Sequence, residues 1–175
     1  MSQNHAESHG IIIYREVQDT KDKESSEQPS QSSSIYKVCR SADDLPVAKI
    51  PPFDKPDPKL GVGMQCWSPS EKFLATRNDN LSWVVWIWSI EHRRLISVLI
   101  QRQSVKMIRW APDSDVLAVC CGNSRVYLWS PEGSSVVHIP FSEFQSMKLV
   151  WNEQGSSLVL ADNSIFCIGY LLDAQ

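Results

Sequence analysis

The sequence has no run of about 18 or more apolar residues, so no membrane-spanning helix is expected. Its first ten residues lack the basic start and the apolar core of a secretory signal. Positive charge is not in excess, because 17 Lys and Arg stand against 20 Asp and Glu, for a formal net charge of −3. This balance excludes a general attraction to nucleic acid or to an anionic membrane. We therefore expect a soluble intracellular protein.

The cysteines lack the number and spacing of a disulfide framework. Their count is odd, no pair has C-x-x-C spacing, and four of the five lie within apolar runs. A zinc site would need a closer grouping of ligands. We interpret them as small buried hydrophobic residues in a reducing compartment. They are Cys39, Cys66, Cys120, Cys121 and Cys167.

Side chains for catalysis or metal binding do not come together in the sequence. The four histidines are scattered, with no Cys, Asp or Glu at metal-ligand spacing. Gly61 and Gly63 lack the third glycine and the following helix of a phosphate-binding loop, so a backbone bend is the better interpretation. No Ser/His/Asp set or carboxylate pair is indicated. We predict no metal, no cofactor and no enzymatic activity.

The N-terminal third is polar and differs in composition from the rest. Residues 19–34 are rich in Lys, Asp, Glu, Gln, Pro and Ser, and they cannot bury enough apolar surface to offset the entropy of ordering. Short β-prone islands at 11–14 and 35–38 flank this stretch, and a Pro-containing connector follows at 51–58. We predict that residues 1–58 are mostly disordered or extended, with the islands as strands of a largely missing blade or as edge segments.

A unit of about forty residues is repeated from Leu60 onward. In each copy a Trp is followed seven positions later by a Leu, and successive Trp residues are 43 and 41 residues apart. The first two copies then carry a second Trp, followed by Ser, at the end of an apolar run. The repeated positions are Trp67, Leu74 and Trp88, then Trp110, Leu117 and Trp129, then Trp151 and Leu158.

Repeats of this length, built from short apolar runs and tight turns, are typical of WD-repeat β-propeller blades. Strands buried on both faces should be continuously apolar, as 83–88 and 116–120 are. We predict an all-β chain in which residues 59–175 form a partial WD-repeat β-propeller. Its three blades lie at about 60–100, 104–140 and 145–170, the last incomplete.

Loops on one rim of these blades are the predicted partner surface. They are 77–81, 101–104, 122–124 and 140–145, and their candidate residues are Arg77, Arg102, Gln103, Asn123, Phe141 and Phe144. Both phenylalanines could equally cap the core beneath the loop. A cluster of basic residues at Arg93, Arg94, Arg102, Lys106 and Arg109 is a solvated rim, or else a surface for an acidic protein or RNA.

Several segments resemble the C-terminal part of the WD-repeat protein eight family. They are Lys59–Met64, Trp67–Pro69, Phe73–Asn80, Val84–Trp88 and Ser124–Pro131, and the resemblance covers roughly 59–168. It implies a non-catalytic scaffold of the centrosome and spindle pole. It also implies a coiled-coil partner and a role in microtubule minus-end anchoring and spindle assembly. The alternative is a propeller of RNA or translation complexes; an enzyme using a propeller rim ranks last.

Closed propellers use about four to eight blades, so we expect the chain to be a fragment of a ring or a short isoform. Two blade faces would then be exposed apolar patches. We predict that residues 60–175 alone self-associate, which gel filtration with a hydrophobic dye tests. A sharp monomer peak without dye binding would contradict this prediction.

Overall fold

A computed structural model describes residues 10–19, 33–48 and 60–171. In these ranges the secondary structure is β, apart from 3-10 turns at Ala42–Asp44 and Asp79–Leu81. The predicted all-β partial propeller is confirmed. Most of the stretch in which we predict disorder, residues 20–32, lies outside the described residues, as does the connector 51–58.

Thirteen strands in these ranges form three sheets. Two N-terminal strands come first: β1 (Ile12–Gln18) and β2 (Ser34–Cys39). Blade 1 consists of β3 (Val62–Trp67), β4 (Phe73–Asn78), β5 (Val84–Ser89) and β6 (Arg94–Ile100). Blade 2 consists of β7 (Met107–Trp110), β8 (Leu117–Cys120), β9 (Arg125–Ser130) and β10 (Gly133–His138). Blade 3 consists of β11 (Lys148–Trp151), β12 (Ser157–Ala161) and β13 (Phe166–Tyr170).

Within each blade, consecutive strands pair antiparallel. At the entry to blade 1 the register of β3 shifts between Val62 and Met64. Gly63 lies in this irregularity, and a side chain there would collide with the Asp79 carboxylate. The Gly61–Gly63 segment is therefore a bend of the strand, as its sequence predicts.

The middle strand β8 shows why the blades need apolar residues at every position. Side chains alternate between the two faces of a sheet. Leu117 and Val119 pack in the core shared with blade 1, whereas Ala118 and Cys120 pack in the core shared with blade 3. All four are fully buried. The strand has no solvent face, so a polar residue at any of these positions would lose its hydration.

The two predicted β-prone islands, 11–14 and 35–38, correspond to ordered strands of the sheet, and β1 continues beyond the first island to Gln18. β1 pairs parallel to β6, the outer strand of blade 1, and β2 pairs antiparallel to β1. The His138 ring on β10 lies 2.9 Å from the backbone oxygen of Ser34, so this hairpin also contacts blade 2. The few apolar residues of the segment are concentrated in these strands, where Ile13 and Tyr14 are buried.

One of the two expected exposed faces is covered. The outer face of blade 1, around Val84 and Val98, is buried beneath Leu45, Ala48 and their neighbours from the N-terminal segment. On blade 3, Phe166 and Tyr170 remain 69% and 71% exposed. The two faces differ because, among the described residues, the N-terminal segment covers the outer face of blade 1 and no segment covers the outer face of blade 3.

Tryptophan hydrogen bonds join successive blades. The Trp110 indole Nε1–H donates to the Cys66 carbonyl across 3.1 Å, and Trp151 repeats this bond one blade later, to Arg109, across 3.2 Å. Trp129 likewise donates to the Ser97 hydroxyl of blade 1, at 3.1 Å. These bonds fix the spacing and the tilt of one blade against the next.

The eight repeat positions differ in burial. Trp110, Leu117, Trp129 and Leu158 are buried, and Leu74 and Trp151 are partly buried. Trp88 is more exposed and donates within its own blade, to Thr76 at 3.0 Å. Trp67 occupies its predicted blade position at the end of β3, opposite Leu74, but its side chain is 54% exposed. In the described residues, no further blade packs next to Trp67 to accept its indole N–H.

We predict that Trp110→Phe lowers the free energy of unfolding by about 1–3 kcal/mol, because the Cys66 carbonyl loses its donor and ring contacts are lost. The matched change Trp67→Phe should cost less than about 0.5 kcal/mol, because that ring is largely solvated. Urea unfolding followed by circular dichroism measures both values. Equal losses would contradict the role of the inter-blade bond.

Candidate functional site

The predicted rim loops lie together at one end of the blades. The carbonyls of Ser82 and Trp83, before β5, accept from Val105 at 2.8 Å and from Gln101 at 2.9 Å. In blade 2, the Gly122 N–H donates to the Ser146 carbonyl at 2.9 Å. In both blades, the loop before the third strand is therefore bonded by its backbone to the connection that leaves the blade.

A cavity of about 520 Å³ opens on this rim between blades 1 and 2. Its wall carries two exposed cations, Arg102 and Lys106, and the half-exposed ring of Trp83. None of its lining residues is acidic. The others are Gln103, Ser104, Cys121, Gly122, Gln145 and Met147.

The structure brings Arg102 and Gln103 to this cavity, but it turns Arg77 and Asn123 inward. The Arg77 guanidinium donates to the Val105 carbonyl at 3.0 Å and pairs with the Asp79 carboxylate. The Asn123 amide bonds to the Tyr127 hydroxyl at 3.0 Å and to the Arg125 N–H at 3.2 Å. Both side chains therefore stabilise the loops from inside. The structure does not support our prediction that Arg77 and Asn123 belong to a partner surface.

The two phenylalanines of the 140–145 loop differ in burial and in the cavity or core that they contact. Phe144 is only 1% exposed and packs in the core between blades 2 and 3, so it caps that core and presents no surface to a partner. Phe141 is 56% exposed and lines a separate apolar cavity of about 420 Å³ beside β13. Neither residue belongs to the cavity between blades 1 and 2.

Glu16 is a rim residue that the sequence analysis missed. Its side chain is fully buried, and its carboxylate accepts the Arg102 N–H at 2.8 Å and the Tyr127 hydroxyl at 2.9 Å. The Arg125 guanidinium lies 3.8 Å away and balances the charge. Strand β1 thus holds the loop that carries Arg102. No local signal marked Glu16, because it lies in a polar segment far from the repeats.

The cavity floor offers no reactive group. Burial, above all, raises the pKa of the Cys121 thiol well above its usual value, and the neighbouring Cys120 and Glu16 raise it further. The thiol is therefore neutral near pH 7, and a neutral thiol is a poor nucleophile and a poor metal ligand. Across the described ranges, no three His, Cys, Asp or Glu residues are grouped as metal ligands. No helix in those ranges has the length and apolar character needed to cross a membrane.

The basic cluster seen in the sequence divides between the two ends of β6. Arg93 and Arg94 lie at its start, whereas Arg102 and Lys106 follow its end. Seven residues of strand span about 20 Å. The cations therefore do not form one continuous basic strip.

We predict that Glu16→Gln loosens the rim and destabilises the fold by about 1–3 kcal/mol, since Arg125 loses its buried counter-charge. Hydrogen exchange of the Arg102 amide should accelerate more than exchange in β12, which serves as the internal control. Unchanged exchange at Arg102, with wild-type stability, would contradict the role of this carboxylate.

No family model matches this chain. Over 143 residues it is 39% identical to the WD repeat-containing protein WRAP73 of Mus musculus. That match covers 81% of this chain and 31% of the mouse protein, so the chain spans about a third of the length of that relative.

A chain in the crystal structure of the Mitotic Checkpoint Complex has the same fold. It superposes with a TM-score of 0.52, covering 79% of this chain and 43% of that chain, at 18% sequence identity. At this identity the likeness concerns the fold alone, a WD40 β-propeller. With the repeated Trp–Leu unit and the three blades, these matches show that the chain is similar to a WD repeat-containing protein and has the fold of part of a WD40 β-propeller.

Proposed function

We propose that this chain acts as a non-catalytic protein-interaction scaffold at the centrosome and spindle pole. There it would support microtubule minus-end anchoring and spindle assembly together with a coiled-coil partner. WD40 propellers are in general interaction scaffolds without catalytic activity. The observation that carries the proposal for this chain is the rim cavity, an exposed and braced recess on rigid blades.

The site chemistry supports a binding role. Around the cavity, the polar groups are cations, amides and a hydroxyl, and no acid, base and nucleophile are grouped there. Burial also raises the pKa of the thiols of Cys66 and Cys120 to about 11, which keeps them protonated. A rigid rim with mixed polar and aromatic side chains is suited to docking a protein partner.

The centrosomal location rests on the resemblance of segments such as Lys59–Met64 and Phe73–Asn80 to the WD-repeat protein eight family. The identity to a WD repeat-containing protein supports the family at the coarser level. The RNA alternative is weaker, because the basic residues are divided between opposite rims and the chain is acidic overall.

Proximity labelling of the full chain in dividing cells tests the proposal. We expect pericentriolar and spindle-pole proteins to be enriched over a control that expresses the labelling enzyme alone. Enrichment of ribosomal proteins in their place would overturn the centrosomal role and favour the RNA alternative.

A further inference from the structure

We propose that the rim cavity between blades 1 and 2 binds an acidic segment of a partner protein. Its carboxylate would lie against Arg102 and Lys106, and an adjacent apolar side chain would cover Trp83. This inference rests on the proposed scaffold function and adds the chemistry of the partner.

The first argument is charge. Arg102 and Lys106 are both exposed on one concave wall, and the lining contains no Asp or Glu. The ion pairs found within the described ranges are Arg77 with Asp79 and Arg125 with Glu16, and neither involves these two cations. Two cations on a wall without acids create a positive local field, which a carboxylate complements. The Arg guanidinium offers a carboxylate two parallel N–H donors.

The second argument is the aromatic edge of the cavity. Trp83 is 41% exposed, yet its backbone is fixed because its carbonyl accepts the Gln101 N–H at 2.9 Å. A large ring carried on a fixed backbone at the mouth of a recess gains contact area on binding at little entropic cost for the chain. An apolar side chain next to the acidic group would therefore add affinity that charge alone does not provide.

The third argument is preorganisation. Glu16 fixes the Arg102 backbone, and the Lys106 N–H donates to the Cys120 carbonyl at 2.8 Å. Gly122 has a φ of +75°, and a Cβ there would approach the Lys106 side chain to 3.3 Å. Glycine thus leaves room for the Lys106 stem beside the cavity floor. The cations are carried by loops already held in place, so binding requires little ordering of the chain.

A protein segment fits these features better than RNA does. RNA binding uses several stacking aromatic residues or a continuous basic track. This cavity has one aromatic ring and two cations, while Arg93 and Arg94 lie at the other end of β6. A short stretch of acidic and apolar residues matches both the extent and the chemistry of the recess.

Fluorescence anisotropy with a labelled peptide of about ten residues, bearing Glu around a single Leu, measures the binding. We expect binding by the wild-type chain that weakens with salt and is reduced at least about tenfold by Arg102→Glu with Lys106→Glu. Trp83→Ala should reduce it several-fold. The matched control, Lys72→Glu with Arg93→Glu, changes the charge equally on exposed residues at the opposite end of blade 1 and should retain binding within about twofold.

Any of four results would overturn the proposal. The first is that a peptide with Gln in place of Glu binds equally well. The second is that the control variant loses as much affinity as the rim variant. The third is that a single-stranded RNA binds more tightly than the peptide through the same two cations. Circular dichroism and the urea midpoint confirm that each variant is folded. A rim variant that is folded and still binds the acidic peptide at wild-type affinity also overturns it.

Proximity labelling with the rim variant separates this inference from the proposed function. Pericentriolar neighbours lost in the rim variant and kept in the control variant support both. If the neighbours persist in the rim variant, the scaffold function stands and the cavity is not its docking site. If the wild-type chain binds the peptide but labels no such neighbours, the cavity chemistry stands and the centrosomal role fails.

Discussion

The indole N–H of one blade donating to a backbone carbonyl of the blade before it is the contact on which the architecture depends. Trp110 and Trp151 make the same bond one repeat apart, to the residue that precedes the equivalent tryptophan. Hydrophobic burial is non-directional, so it brings sheets together without setting their angle. A hydrogen bond with a required length and direction sets that angle. The spacing of rim loops, and hence the shape of the cavity between blades, follows from it.

The repeat was sufficient to predict the blades, because a residue pattern recurring every forty residues reflects a local four-stranded unit. It also identified Trp110, Leu117, Trp129 and Leu158 as core positions. It did not predict that Trp67 is exposed, because burial depends on a neighbouring blade, which the pattern within one repeat does not describe. For Phe144 the sequence left a partner surface and a core cap both open, and the fold decides for the core cap.

The rim was harder to predict than the blades. Arg102 and Gln103 were found from loop position, but Arg77 and Asn123 bond inward to groups that only the folded loops bring near. Glu16 acts on Arg102 and Tyr127 from a strand more than eighty residues earlier in the chain. The polar composition of residues 1–58 predicted mostly disorder around Glu16. A composition averaged over the whole segment does not show that a short strand, β1, fits one edge of the sheet.

The parallel pairing of β1 with β6 has a kinetic consequence. Ile12 lies opposite Ser97, so β1 cannot dock until residues beyond Ser97 have been synthesised and β6 has formed an edge. Blades 1 and 2 are built from hairpins between neighbouring strands, which close quickly, whereas this contact requires a long loop to close. During synthesis, β1 therefore leaves the ribosome before the sheet edge that will accept it exists. Its edge toward β6 must remain unpaired in the meantime, which is the interval in which chaperones act on such segments.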